Sequence, residues 1–148
     1  MTITESLTND RPTDADIGAF ETLVHGSFPD DYKTFLKKEN GGRPRPKQFR
    51  FTTKAGKTEE STTHYFFALH AGRVGSLQKS FESYKKRVVS GYIPIGTDPF
   101  GNIIVMNTMP HGNGRIYFWN HETESDLPSV ANMCLIAQSF SEFVEGLF

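Results

Sequence analysis

The stretch from Tyr92 to Glu122, YIPIGTDPFGNIIVMNTMPHGNGRIYFWNHE, constrains this chain more than any other part of it. Two turn signals cut its apolar runs, Thr97-Asp98-Pro99-Phe100-Gly101-Asn102 and Met109-Pro110-His111-Gly112-Asn113-Gly114. Both consist of residues that favour tight turns or accept positive φ. Ile103-Ile104-Val105-Met106 and Ile116-Tyr117-Phe118-Trp119 are β-branched or aromatic runs suited to a packed, pleated surface. Three neighbouring antiparallel strands are the simplest outcome, and the sequence predicts this meander as the centre of the sheet.

The flanks read as helices and shorter strands. Thr13 offers an N-cap ahead of Asp14 and Asp16, and Ile17, Phe20, Leu23 and Val24 then share one face up to Gly26. Phe28-Pro29-Asp30-Asp31-Tyr32 opens a second helix with a Phe28, Tyr32, Phe35, Leu36 stripe, stopped by Asn40-Gly41-Gly42. Phe49 and Phe51 alternate with polar residues as in a half-buried strand. Glu59 and Glu60 follow, and after a loop His64 to His70 reads as a covered strand. Ser76 caps a third helix with Leu77, Phe81, Tyr84 and Val88 in line. Beyond the meander, Met133 to Ala137 reads as an edge strand and Ser139-Phe140-Ser141-Glu142 as the capping box of a last helix.

Residues 1–12 are polar and aperiodic and read as a flexible leader, leaving 13–148 as one domain. At 148 residues the chain is long enough for one sizeable core and short for two, and 13 Phe are expected to dominate that core. The expected class is α+β, a single domain with a mostly antiparallel or mixed sheet flanked by about four helices. A formal charge of -1 provides no global field to gather nucleic acid or an anionic membrane. One cysteine, Cys134, forms no internal disulfide, the first residues lack a signal-peptide pattern, and no apolar run approaches the ~20 residues that span a bilayer. These observations lead to the expectation of a cytoplasmic protein with no membrane partner.

FPDDYKTFLKKENGG (Phe28 to Gly42), YIPIGTDPFGNIIVMNT (Tyr92 to Thr108), IYFWNHET (Ile116 to Thr123) and IAQSFSEFVEGL (Ile136 to Leu147) occur in the order and spacing of a known family. The chain resembles the SUKH superfamily, named after yeast cell-wall assembly regulators of the Smi and Knr type, from about Asp14 to its end. The resemblance implies an α+β domain without enzymatic activity. Bacterial members are largely immunity proteins that bind and neutralise polymorphic toxins, many of them nucleases, and eukaryotic members act as interaction modules. Many members are acidic; this chain instead carries a basic run, so mimicry of nucleic acid is not expected of it.

No Gly-x-Ser-x-Gly elbow, Walker loop, Cys-x-x-Cys or His-Glu-x-x-His occurs, so no motif names a reaction. His64 and His70 would share a strand face, but six residues of strand span about 20 Å, too far for one metal ion. Asp98 with Asn102 reads as a turn, Gly72 to Ser76 as a strand-to-helix junction, and His121 with Glu122 as strand neighbours on opposite faces. No catalytic, cofactor-binding or metal-ligating residue is assigned.

Partner-binding candidates fall into two sets. Arg43, Arg45, Lys47 and Arg50, with Lys54 and Lys57, form a run without an acid, readable as a docking patch or as a solvated edge in which basic residues discourage strand pairing. Asp30, Asp31, Glu122, Glu124 and Asp126 suit a basic toxin or a solvated rim, and Trp119 is core or a partly exposed anchor. The expected function is a non-enzymatic protein-binding domain, an immunity protein acting on a cognate toxin, as monomer or weak dimer. The alternative is a nucleic-acid-binding or general regulatory interaction module using residues 43–57, with Phe49 and Phe51 as stacking groups; nucleic acid is the less favoured partner.

Overall fold

The computed structural model describes residues 1–148. In chain order the strands are β1 (Thr2–Glu5), β2 (Arg43–Arg45), β3 (Gln48–Thr52), β4 (Thr58–Thr62), β5 (Tyr65–Phe66), β6 (Tyr92–Thr97), β7 (Ile103–Asn107), β8 (Ile116–Trp119) and β9 (Met133–Ala137). The helices are α1 (Asp14–Val24), α2 (Asp30–Lys38), α3 (Leu77–Tyr84) and α4 (Phe140–Glu145). The class is α+β.

Strands β5 to β9 make one antiparallel sheet in sequential order, with the meander at its middle. Period-two alternation sorts its side chains onto two faces. Ile104, Met106, Ile116 and Phe118 enter a cluster of 23 buried residues with the stripes of α1, α2 and α4. Ile103, Val105, Trp119 and Met133 turn the other way and join Val88 beneath Tyr84, Tyr92 and Tyr117. A strand covered on both faces has to be apolar at successive positions, and β7 is buried at all five.

Thr13 and Asp16 close a reciprocal capping box on α1: each side chain accepts the other's backbone N–H. Ile17, Phe20 and Val24 are buried. Leu23, expected on the same stripe, is 40% exposed; at 3.6 residues per turn it lies about 60° past Phe20, beyond the covered arc. Helix α2 delivers Tyr32, Phe35 and Leu36 to the core, where Tyr32 meets Phe28 and Phe140 edge-on at ring separations of 5.5 and 5.1 Å.

Helix α3 ends at Tyr84, so Val88, expected on its stripe, lies beyond it and packs under the other sheet face, and three further segments depart from the sequence-based expectation. Within the stretch read as a flexible leader, β1 pairs antiparallel with β2, Ile3 opposite Pro44; three of its four residues are exposed, so backbone pairing forms it without an apolar signature. Glu59 and Glu60 belong to β4, which pairs with β3 and places them opposite Phe51 and Arg50. The expected strand from His64 to His70 contracts to Tyr65–Phe66, because Ala68 leaves the sheet to bridge Ser76 and His70 takes a φ of 62°.

Strand β3 is fastened to the core by its own alternation. Phe49 and Phe51 are 1% and 7% exposed and pack on Phe118 at ring separations of 5.9 and 4.5 Å, a burial worth about 2 kcal/mol each. On its other side Gln48 exchanges backbone hydrogen bonds of 2.9 and 3.0 Å with Phe148.

Candidate interaction surface

The two ends of the sheet differ. At one end the β7–β8 turn meets the start of α2, where Asn113 Nδ2 donates to the Ser27 carbonyl at 2.7 Å. The opposite end gathers the β6–β7 turn, the entry to β5 at His64, whose N–H donates to Thr97 O at 2.7 Å, and the connection from Asn120 to Asn132. Register places β2 and the start of β3 at this same end: Gly42 bridges Phe66, and the Thr63 N–H donates to Lys47 O at 2.8 Å.

The basic run therefore does not form one patch. Arg43, Arg45, Lys47, Thr63, His64 and Pro99 line a cleft of about 130 Å³. Arg43 has its Nε 3.0 Å from the Glu5 carboxylate and its guanidinium 5.6 Å from the centre of the Tyr65 ring. Arg45 and Lys47 are exposed and form no ion pair within 4.0 Å. Burial, then the charges of Arg43 and Lys47, hold the His64 imidazole below its ordinary pKa against the opposing pull of Asp98 and Glu5. Arg50 lies apart on β3, paired with Glu60 at 3.0 Å and stacked 4.0 Å from the centre of the Phe148 ring.

Next to the cleft the β6–β7 turn is held by a chain of polar contacts. The Asp98 carboxylate, 3% exposed, accepts the N–H groups of Phe100 and Asn102, the Asn102 side-chain amide and the Ser61 hydroxyl, at 2.8 to 3.2 Å. Asn102 Oδ1 in turn accepts the His121 N–H at 3.1 Å and lies 2.7 Å from its Nδ1. This explains Asp98 and Asn102 as turn chemistry, as expected. It also leaves Phe100 at the crest, 69% exposed on a fixed backbone.

The acidic candidates are divided between the two ends. Asp30 is exposed at the start of α2, and Asp31 is occupied structurally, accepting the N–H groups of Tyr32 and Ser141 at 2.7 and 2.8 Å. Glu122 and Asp126 are exposed in the Asn120–Asn132 connection. Glu124 accepts two hydrogen bonds from Arg87, both 2.9 Å, and these keep its carboxyl below the usual carboxylate range. Trp119 is 0% exposed, so it is core; the Arg87 guanidinium covers its ring at 5.2 Å.

The residues weighed for chemistry stay apart. His64 and His70 do not share a strand face, and His70 instead lies 3.8 Å from Asp10. His121 and Glu122 occupy a 3-10 turn rather than a strand. Cys134 is a free, half-buried thiol raised in pKa by burial. No three His, Cys, Asp or Glu side chains are grouped to hold a metal ion, and no helix is long and apolar enough to cross a membrane. Sequence reasoning missed Thr63, His64, Pro99 and Phe100 as members of one surface; the Pro99-Phe100 pair at a turn crest was the only available signal.

Among known proteins, the chain is 32% identical over 148 aligned positions to the SPbeta prophage-derived uncharacterized protein YokK of Bacillus subtilis (strain 168), covering 91% of this chain and 74% of that protein. The SMI1 / KNR4 family (SUKH-1) matches residues 11–146, a span running from the segment before α1 through α4. The five-stranded sheet, its flanking helices and this match agree, and the chain belongs to the SMI1 / KNR4 family (SUKH-1).

Proposed function

We propose that this protein is a cytoplasmic, non-enzymatic binding domain that neutralises a cognate toxin by covering part of its surface. The family match over residues 11–146 carries the reading, through the immunity role that bacterial SUKH proteins hold. A relative whose name places it in a prophage is in keeping with a bacterial setting for it. The surface is compatible with docking: a basic cleft beside a fixed, exposed aromatic at one end of the sheet. Complementary charge would speed encounter, and a few desolvated anchors would set the lifetime of the complex.

The experiment is co-expression with the product of the adjoining gene. Restored growth and a co-eluting complex on size exclusion are the expected results. Absence of both protection and complex would end this reading. The alternative use of Phe49 and Phe51 as nucleic-acid stacking groups has no support in their 1% and 7% exposures, because a stacking platform has to present its ring faces.

A further inference from the structure

We infer that the Arg43–Arg45–Lys47–His64 cleft and Phe100 together form the docking site for an acidic segment of a partner protein, a carboxylate entering the cleft and Phe100 entering an apolar pocket beside it. This rests on the protein-binding reading above and names the surface and the chemistry of the partner.

The charge in the cleft is convergent and only partly compensated. Glu5 engages Arg43, while Arg45 and Lys47 have no acid within ion-pair distance. Both sit on restrained backbone: Arg45 is opposite Thr2 in the β1–β2 ladder, and Lys47 accepts the Thr63 N–H. That the charges of Arg43 and Lys47 act on His64 indicates that their fields overlap inside the cleft.

Two threonines close the cleft wall behind these charges. Thr62 and Thr63 line it, and the hydroxyl of each is buried without a partner; Thr63 is 1% exposed. Both hydroxyls are closed off from solvent, so the groups that meet a carboxylate in the cleft are the exposed Arg45 and Lys47 beside Arg43. The volume of about 130 Å³ is below the roughly 300–1,000 Å³ of sites that enclose small molecules. It suits one acidic side chain presented by a larger surface.

Phe100 supplies the second element. Pro99 lines the cleft, and Phe100 follows it at the exposed crest of the same turn. The Asp98–Asn102–His121 contacts hold the turn before any partner arrives, which reduces the ordering cost of using Phe100 as an anchor. Nucleic acid fits less well. Glu5 and Asp98 interrupt the positive track at the cleft, and no exposed row of aromatics continues from Phe100.

The test uses the full chain labelled with ¹⁵N and titrated with a capped octapeptide of Glu and Asp, with inorganic phosphate, and with an eight-nucleotide single-stranded DNA. The peptide is expected to shift the amides of Arg43, Lys47, His64 and Phe100, and the exposed double change Arg45→Glu and Lys47→Glu to weaken it at least tenfold. Shifts confined to other surfaces, or an unchanged affinity in the double variant, overturn the site. DNA or phosphate binding tenfold tighter than the peptide also overturns the choice of an acidic protein. With the toxin in hand, Phe100→Ala and the double variant are each expected to shorten the life of the complex tenfold or more. A wild-type complex that both variants leave intact removes the cleft and keeps the binding function. No wild-type complex removes that function, while the peptide titration still decides the cleft.

Discussion

Asn40 and Leu69 exchange two hydrogen bonds as if they were partners in a ladder: Asn40 Oδ1 accepts the Leu69 N–H and Asn40 Nδ2 donates to the Leu69 carbonyl, both at 2.9 Å. Asn40 is 0% exposed and sits at a φ of 50°, so one residue ends α2 in the left-handed region and satisfies the backbone where the chain leaves β5. Asn40→Ala leaves a buried N–H and a buried carbonyl unpaired and places an alanine at positive φ. The expected loss is about 3 kcal/mol, read by urea denaturation. Asn40→Gly relieves the backbone strain and is expected to recover about 1 kcal/mol of it. Equal losses for the two variants would refute the division between strain and hydrogen bonding.

The Arg87–Glu124 pair is predicted to be acid-sensitive. Arginine hydrogen bonds lower the folded pKa of Glu124, so its contribution is complete above the unfolded value of about 4.3 and disappears as pH falls through the lower folded value. The side chains are 44% and 24% exposed, so solvent screens the pair and Glu124→Gln is expected to cost only about 0.5–1 kcal/mol at pH 7. The difference from wild type should shrink as pH falls below about 4.3 and vanish once Glu124 is protonated in the folded state as well. Emission from Trp119, the single tryptophan, reports the same site because Arg87 covers its ring.

His64 should respond to charge in the cleft. Burial and the positive charges of Arg43 and Lys47 lower its folded pKa, while Asp98 and Glu5 raise it. As pH drops from about 6.5 towards the folded value, the unfolded chain takes up a proton that the folded chain refuses, so stability falls over that window. Lys47→Glu is expected to raise the His64 pKa, followed by NMR of the ring protons, and to flatten this part of the stability profile. An unmoved titration would show that the two side chains do not share a field.

Removing residues 1–5 tests the first strand. Ile3 packs at the margin of the core opposite Pro44, and Glu5 is the only acid paired with Arg43. The expected cost is about 1–2 kcal/mol with the β5–β9 sheet intact. Loss of Glu5 should also lower the His64 pKa further, since Glu5 raises it. Global unfolding on truncation would contradict the peripheral place of β1.

Most of the core was legible in the sequence because its signals are local and periodic. Thr13 and Ser139 are caps as read, and the meander turns fall where Pro, Gly and Asn cluster. Tyr32, Phe35 and Leu36 are the buried stripe of α2, and Phe28 is buried just before it. The errors have physical causes of another kind. Strands β1 and β4 are largely exposed segments paired with partners 6 to 43 residues away in sequence, and an exposed edge carries no apolar pattern. Leu23 shows the reverse: a correct helix whose outermost apolar residue misses the contact.

What the sequence alone determined is the class, the central meander, the four helices and their N-caps at Thr13, Ser76 and Ser139, and the family resemblance, all set by spacing and turn chemistry within a few residues. What only the tertiary structure decided is which charged residues face outward together. Register brings Lys47 beside Thr63 and Pro99 beside the basic strand, sends Asp31 to the amide of Ser141, and covers Trp119 with Arg87. Surface side chains are sorted by long-range pairing of the backbone beneath them, and no local period records that pairing.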